Sequence, residues 1–304
     1  MRLAILDLDG TLLMPGALTA WDKVRSLQLS LRTTSVPQML VTLATGRALA
    51  GVVRVIRHMH LPNGTPIALY NGALVVTAGS FAPLTWKTIP PAVLGRVLKL
   101  VLPAHMTATA YFYPGAGAPD NPWDPGTEIV WGWSDRSGRA DREFNGLPIR
   151  WSDSDLGFDG WAPVAILVDA ASRPAASRSL ASSFRTIEGI SVTRSGDRFL
   201  EIRPSGVNKA QAAREIAKAL GVRQSEVIAL GDADNDAELL RWAGIGVSVA
   251  KGSPRAVASS DFVCRYGTAQ AALELLRLVK HAKRYHGAHH VNQQDRASAD
   301  LSLD

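Results

Sequence analysis

The sequence predicts an α/β fold built on a doubly wound parallel sheet, and three observations predict it. Short apolar runs of strand type, at residues 3–6, 39–44 and 227–230, alternate with stretches whose apolar residues recur at helical spacing. Each run ends abruptly in small and polar residues. Those endings concentrate carboxylates, hydroxyls and glycines, and in open parallel sheets ligands bind outside the carboxyl ends of the strands. One rim of the sheet is therefore expected to carry the chemistry.

The first run, Leu3-Ala4-Ile5-Leu6, drops into Asp7-Leu8-Asp9-Gly10-Thr11-Leu12. Asp7 and Asp9 are one residue apart, so in extended chain they lean the same way and can grip one cation. By itself Asp-Gly is also a common turn after an edge strand. A loop over 13–17 and a helix capped by Thr19, with Val24, Leu27 and Leu31 on one face, come next. The second run ends in Thr45-Gly46-Arg47 ahead of a helix over 48–59, where a hydroxyl suits either an N-cap or a phosphate oxygen. A strand over 67–69 leads into Tyr70-Asn71-Gly72-Ala73.

Further along, Asn208-Lys209-Ala210 opens a helix with Ala213, Ile216, Ala217 and Leu220 on one face and Gly221 as its stop. The run at 227–230 ends in Gly231-Asp232-Ala233-Asp234-Asn235-Asp236, where three carboxylates in five residues repel one another unless a cation sits among them. The spacing then predicts a helix over 237–242, strands over 245–249 and 261–264, and a last amphipathic helix over 268–283 with Ala272, Leu275, Leu276 and Val279 inward.

The motif Asp7-Leu8-Asp9-Gly10-Thr11-Leu12, joined by Thr45, Lys209 and the acidic ending at 231–236, resembles the haloacid dehalogenase superfamily of phosphohydrolases. The lead-in Leu200-Glu201-Ile202-Arg203-Pro204-Ser205-Gly206-Val207-Asn208-Lys209 and Tyr70-Asn71-Gly72-Ala73 are similar to its Cof-type branch, which is close to sugar-phosphate, sucrose-phosphate and trehalose-phosphate phosphatases. The resemblance implies a Mg²⁺-dependent phosphatase acting on a small phosphorylated metabolite, most plausibly a sugar phosphate. It implies Asp7 as nucleophile, forming an aspartyl-phosphate, and Asp9 as general acid and then base. It further implies Mg²⁺ held by Asp7, the Asp9 main-chain carbonyl and Asp232, with Asp236 close by through water. Thr45, Gly46, Arg47, Asn71, Lys209 and Asn235 would bind phosphate or substrate. Ala210 stands where the family has Gly after the lysine, and Leu240 where a Met is common.

The branch also implies an inserted α/β cap. The resemblance brackets a core of residues 1–83 and 200–286, an inserted cap over 84–199 and a polar tail over 287–304 expected to be disordered. The middle has its own texture: Pro114-Gly115-Ala116-Gly117-Ala118-Pro119 and Pro122-Trp123-Asp124-Pro125-Gly126 punctuate it and offer a lid. Strand-type runs fall at 107–113, 128–133, 164–168 and 199–202, and a helix at 172–184. Trp123, Trp131, Trp133, Trp151 and Trp161 suit a core or the faces of sugar rings.

With 304 residues and 46% hydrophobic content, the chain has the material for two domains. The net charge of +6 comes from scattered residues with no aromatic-interleaved basic stretch, which suits anionic small molecules and argues against a nucleic-acid binder. Cys264 is the single cysteine, so no disulfide forms within the chain and a reducing, cytoplasmic setting is expected. No segment is apolar for long enough to span a bilayer, and no membrane partner is expected. Monomer and homodimer stay open. His286, His289 and His290 read as solvated tail. Three other functions were weighed: a phosphomutase of the same superfamily, which would need a bisphosphate activator; a receiver-like phospho-acceptor module, which would have no counterpart to the insertion; and a silent metabolite-binding protein.

Overall fold

A computed structural model describes residues 1–13, 39–113, 128–134, 143–144, 147–152, 162–170, 174–195, 199–268, 270–276 and 279, with backbone alone at 143–144, 147–148, 174–176 and 194–195. In chain order come β1 (Leu3–Leu6), β2 (Leu40–Leu43), α1 (Leu49–Met59), β3 (Pro66–Leu69), a 3-10 turn at Tyr70–Gly72, β4 (Leu74–Thr77) and β5 (Pro83–Trp86). Then follow α2 (Pro91–Val101), β6 (Thr107–Phe112), β7 (Ile129–Trp133), β8 (Glu143–Phe144), β9 (Leu147–Ser152), β10 (Ala165–Asp169), α3 (Pro174–Arg185), β11 (Ile190–Ser195) and β12 (Phe199–Pro204). The chain continues through α4 (Lys209–Ala219), β13 (Val227–Gly231), a 3-10 turn at Asp234–Asp236, α5 (Ala237–Trp242), β14 (Ile245–Ser248), α6 (Pro254–Ala258) and β15 (Phe262–Val263). By backbone contacts it divides into two compact units, Met1–Val41 with Val222–Asp304, and Thr42–Gly221.

The first unit is built on parallel strands in the order β15, β14, β13, β1, with the start of β2 beyond β1. β1 and β13 are buried along their whole length, so both read as continuous apolar runs rather than alternating ones. Their register pairs Leu3 with Val227 and Leu6 with Leu230, so the two chains leave the sheet at the same edge. That register delivers Asp7 and Asp232 side by side. β15 is shorter than the sequence predicts and both its residues are exposed, while Cys264 beyond it is partly exposed. Burial and the nearby Glu274 push the Cys264 thiol up to about 11, so it is no nucleophile at neutral pH.

The second unit contains two sheets and the helices packed on them. β3, β4 and β5 form an antiparallel sheet. Seven strands, in the order β11, β12, β10, β6, β7, β9, β8, form another that is antiparallel except between β7 and β9. Two helices, α2 and α3, share a core with this larger sheet through Val97, Leu98, Phe184, Trp133, Ile166 and Leu200. Trp133 is only 1% exposed, so it serves packing and offers no face to a sugar.

The fold class agrees with expectation, and the strands and helices at the matched motifs fall within a residue or two of their predicted ends. The strands β4, β5, β8, β9 and β11 and the helix α2 were not foreseen. α2 opens on Pro90-Pro91, a proline pair that reads as a loop although Pro is well suited to a helix's first turn. The helix expected at 19–31, the lid at 114–126, Trp123, Trp161, His286, His289, His290 and the tail at 287–304 lie outside the described residues, as does part of the last helix. Among the described residues no helix is long and apolar enough to cross a membrane.

Phe184 is fully buried at the centre of the α2–α3 core. Phe184→Ala should lower stability by about 3–5 kcal/mol, read as an earlier denaturant midpoint monitored by near-UV circular dichroism.

Candidate active site

The first unit gathers carboxylates at the end of its central strands. Asp7 is the residue after β1, is 3% exposed, and donates its main-chain N–H to the Leu230 carbonyl at 2.9 Å, which continues the β1–β13 ladder one residue past the strand. The chain then reverses within five residues, with Gly10 N–H donating to Leu13 and Leu12 N–H to Leu8. Gly10 holds φ at +83°, and a Cβ there would sit 2.6 Å from the Asp232 carboxyl carbon. No other residue fits that turn.

Asp232 lies one residue beyond β13 and accepts the Thr11 hydroxyl at 2.6 Å. Asp236 is fully buried and accepts from the main-chain N–H of Asp232 and Ala233 at 3.1 and 3.0 Å, so the acidic turn is tied by its own last member. Carboxylate oxygens of Asp7, Asp232 and Asp236 all lie within 4.8 Å of one another. Hard anionic oxygens so close together suit a hard divalent cation and form the part of the site able to hold a metal. The Asp9 side chain is exposed and is not one of the three. Asp234 accepts the Ser253 hydroxyl at 2.6 Å, and Asn235, half-buried, lies in the same 3-10 turn.

The second unit arranges hydroxyl, amide and amine donors. β2 and β3 run on as a parallel bridge between Ala44 and Ala68, and Thr45 N–H donates to Ala68 at 3.0 Å. Asn71 N–H in turn donates to Thr45 at 2.9 Å and Tyr70 N–H to Arg47 at 3.1 Å, which locks the two motif turns together. The Thr45 hydroxyl is buried and accepts the Arg47 N–H at 3.1 Å, so its own proton points elsewhere. Gly46 is exposed beside the Asn71 amide. The Arg47 guanidinium donates to the Gly51 carbonyl of α1 at 3.2 Å.

Lys209 is the first residue of α4 and 1% exposed, and Asn208 caps that helix by accepting from Gln211 N–H at 2.8 Å. Gly72, at φ +101°, lets the Tyr70–Gly72 turn close onto α4, since a Cβ there would meet the Asn208 carbonyl oxygen at 2.6 Å. Asn71 and Lys209 thereby belong to one packed corner. Ala210 is buried at 2% exposure and is accommodated without distortion of the helix.

Two carboxylates of this unit were not foreseen as site residues. Glu201 on β12 accepts the Asn71 side-chain amide at 2.8 Å. Glu128, just before β7 and 5% exposed, accepts the N–H groups of Leu49 and Ala50 at 2.9 Å each and the Tyr70 hydroxyl at 2.7 Å. Burial raises the Glu128 pKa above the ordinary carboxylate range against the pull of those donors, and burial beside Glu128 pushes the Tyr70 phenol well up. The one signal for Glu128 is a lone carboxylate heading an otherwise apolar strand.

Three carboxylates gathered at the carboxyl end of a parallel α/β sheet suit the metal-assisted chemistry of a phosphoryl-transfer hydrolase. The sequence profile of the haloacid dehalogenase-like hydrolases matches residues 4–276, and the chain belongs to that family. It is 26% identical over 282 residues to a Bacillus subtilis (strain 168) protein named "Putative phosphatase YxeH", covering 90% of this chain and 98% of that one. Its fold is similar to that of a haloacid dehalogenase-like hydrolase from Bacteroides thetaiotaomicron, with a TM-score of 0.70 and 20% identity over 91% of this chain and 99% of the other. It is also similar to the subclass IIB sugar phosphatase BT4131, with a TM-score of 0.65 and 16% identity over 87% and 93% of the two chains.

Gly10→Ala forces a side chain into a left-handed turn and against Asp232. Phosphate release from a phosphomonoester should fall by about 100-fold or more, since a displacement near 1 Å at reacting groups costs that much, while far-UV circular dichroism stays unchanged.

Proposed function

We propose that the protein is a Mg²⁺-dependent phosphomonoesterase that hydrolyses a small phosphorylated metabolite, a sugar phosphate, through an aspartyl-phosphate on Asp7. The observation that carries this reading is the convergence of Asp7, Asp232 and Asp236, two of them buried, on a space small enough for one cation. Like charges so placed need a counter-charge. Asp7, Asp232 and the Asp9 carbonyl would hold magnesium, with Asp236 close by through water, and the ion would neutralise charge on the phosphoryl oxygens and let the Asp7 carboxylate face an anionic ester.

In the first step an Asp7 oxygen attacks phosphorus in line, the bond to the ester oxygen breaks, and that oxygen takes a proton from Asp9. In the second, water attacks the aspartyl-phosphate, Asp9 accepts its proton, and inorganic phosphate leaves with Asp7 restored. Exposure of the Asp9 side chain supports this role, because an acid that meets a leaving group must be reachable. Thr45 and Gly46 would donate to the phosphoryl oxygens, and Lys209 would offset their charge, with Asn71, Arg47 and Asn235 completing the substrate contacts. The buried Thr45 hydroxyl, already oriented by the Arg47 N–H, supports its part.

Residues 84–199 are proposed to act as the cap that selects the leaving group, over a core of 1–83 and 200–286. The sugar-phosphate assignment draws on the name of BT4131 as a sugar phosphatase and on the notion that an inserted, hydroxyl- and aromatic-rich layer suits a polyol. A single cysteine and a small polar metabolite as substrate support a cytoplasmic setting. Hydrolysis is favoured over mutase action, which a bisphosphate requirement would reveal.

Wild-type protein should release phosphate from sugar phosphates with Mg²⁺ and lose about all of it in EDTA, and Asp7→Asn should lower kcat by roughly 10³-fold or more. Acid quenching during turnover followed by peptide mapping should locate the phosphoryl group on Asp7. Label on any other residue, or full activity in Asp7→Asn, would defeat the proposal.

A further inference from the structure

Glu128 is the one buried carboxylate among the described residues to which the proposed chemistry gives no part. Among the described residues its three donors, two main-chain amides and a phenol, are all neutral, so the dipoles of the N-terminal turn of α1 and of the Tyr70 hydroxyl face its charge. Burying a carboxylate costs several kcal/mol, and an apolar side chain of similar volume would pack the start of β7 without that cost. What the carboxylate adds is a geometric link that no hydrocarbon can make.

The link closes around one segment. Leu49 and Ala50 follow Arg47 directly after Ala48, and Tyr70 reaches Arg47 from the other side through its own N–H at 3.1 Å. Asn71 N–H holds Thr45 at 2.9 Å. Tyr70 and Asn71 both have left-handed backbones, with φ of 50° and 54°. Such conformations are strained in non-glycine residues and persist only where the surroundings hold them. The Tyr70 hydroxyl, anchored on Glu128, shares that holding with the main-chain bonds of Tyr70 and Asn71.

The anchor also has an electrostatic consequence. Backbone amides at a helix start attract anions. With Leu49 and Ala50 bonded to Glu128, a phosphoryl group does not compete for those two amides at the start of α1.

We propose that Glu128 is a positioning residue for the phosphate-binding turn Thr45–Gly46–Arg47, fixing the direction in which the Thr45 hydroxyl and Gly46 amide are presented. Its carboxylate bonds Leu49, Ala50 and Tyr70, the residues that flank the turn, and so acts on the turn through them. The inference rests on the phosphatase reading above.

The test compares wild type, Glu128→Gln, Tyr70→Phe and the double variant. Inorganic phosphate is titrated calorimetrically with Mg²⁺ present, Mg²⁺ is titrated alone, and KM and kcat are measured on p-nitrophenyl phosphate. Glu128→Gln keeps the volume but turns an N–H toward one of the two helix amides. Its phosphate Kd and its KM should rise about tenfold, with Mg²⁺ affinity and thermal midpoint near wild type. Tyr70→Phe should raise both about threefold, and the double variant should be no worse than Glu128→Gln, because the two act through one link. Unchanged phosphate affinity in the folded single variants, additive effects, or a wild type that does not bind phosphate overturns the inference. If Glu128→Gln does not fold, Tyr70→Phe decides by the same measure. A wild type that binds phosphate yet hydrolyses no phosphomonoester defeats the phosphatase reading alone, and the phosphate titration still decides the role of Glu128.

Discussion

Mutual repulsion among Asp7, Asp232 and Asp236 is the constraint around which the first unit is organised. Two ionised carboxylates within 4.8 Å of each other repel by at least about 3 kcal/mol at an effective dielectric near 20. Three such pairs would consume a large share of the 5–15 kcal/mol that typically holds a domain folded. The fold tolerates them by anchoring each one. Asp7 is fixed by ladder bonding to β13, Asp232 by the Thr11 hydroxyl, and Asp236 by two amides of its own turn.

That anchoring explains local features which otherwise look unrelated. Thr11 can reach Asp232 only because the chain turns back sharply after Asp9, and it turns there only because Gly10 accepts a left-handed backbone and leaves room for the Asp232 carboxyl. The parallel register of β1 against β13 sets both motif ends at one edge. A slip of one residue would send Asp7 to the opposite face and scatter the cluster. Ser253 removes Asp234 from the competition by binding its carboxylate, so the acidic turn presents two carboxylates to the cluster rather than three.

How much of this was legible in the sequence follows from how each residue is constrained. Fully buried strands such as β1 and β13 announce themselves as apolar runs, and the residues that follow them are chemically conspicuous. Asp7, Asp232 and Asp236 were legible for that reason. In the seven-stranded sheet β8 is only two residues long, β9 carries Pro148, and β11 has four polar residues in six, so they leave little trace in the sequence. Glu128 and Glu201 were invisible for a different reason. A glutamate reads as solvent-facing, and its burial depends on partners 79 and 130 residues away in sequence. Arg47 is a residue whose local contact the sequence suggests: its guanidinium reaches the Gly51 carbonyl in the first turn of the helix that follows it.

The second unit poses an electrostatic question, since the residues proposed to receive an anion share it with two inward carboxylates. A carboxylate close to an anion site ordinarily weakens binding by repulsion. Both here face neutral donors: Glu201 accepts the Asn71 amide, and Glu128 accepts two helix amides and a phenol. Neither draws on Lys209. The two helix amides and the phenol that Glu128 occupies would otherwise compete for a phosphate, so this carboxylate sharpens the placement of the anion at the cost of some field strength. This exchange suits an enzyme that must release phosphate after each turnover, for which precise presentation of a few donors matters more than tight capture of the product.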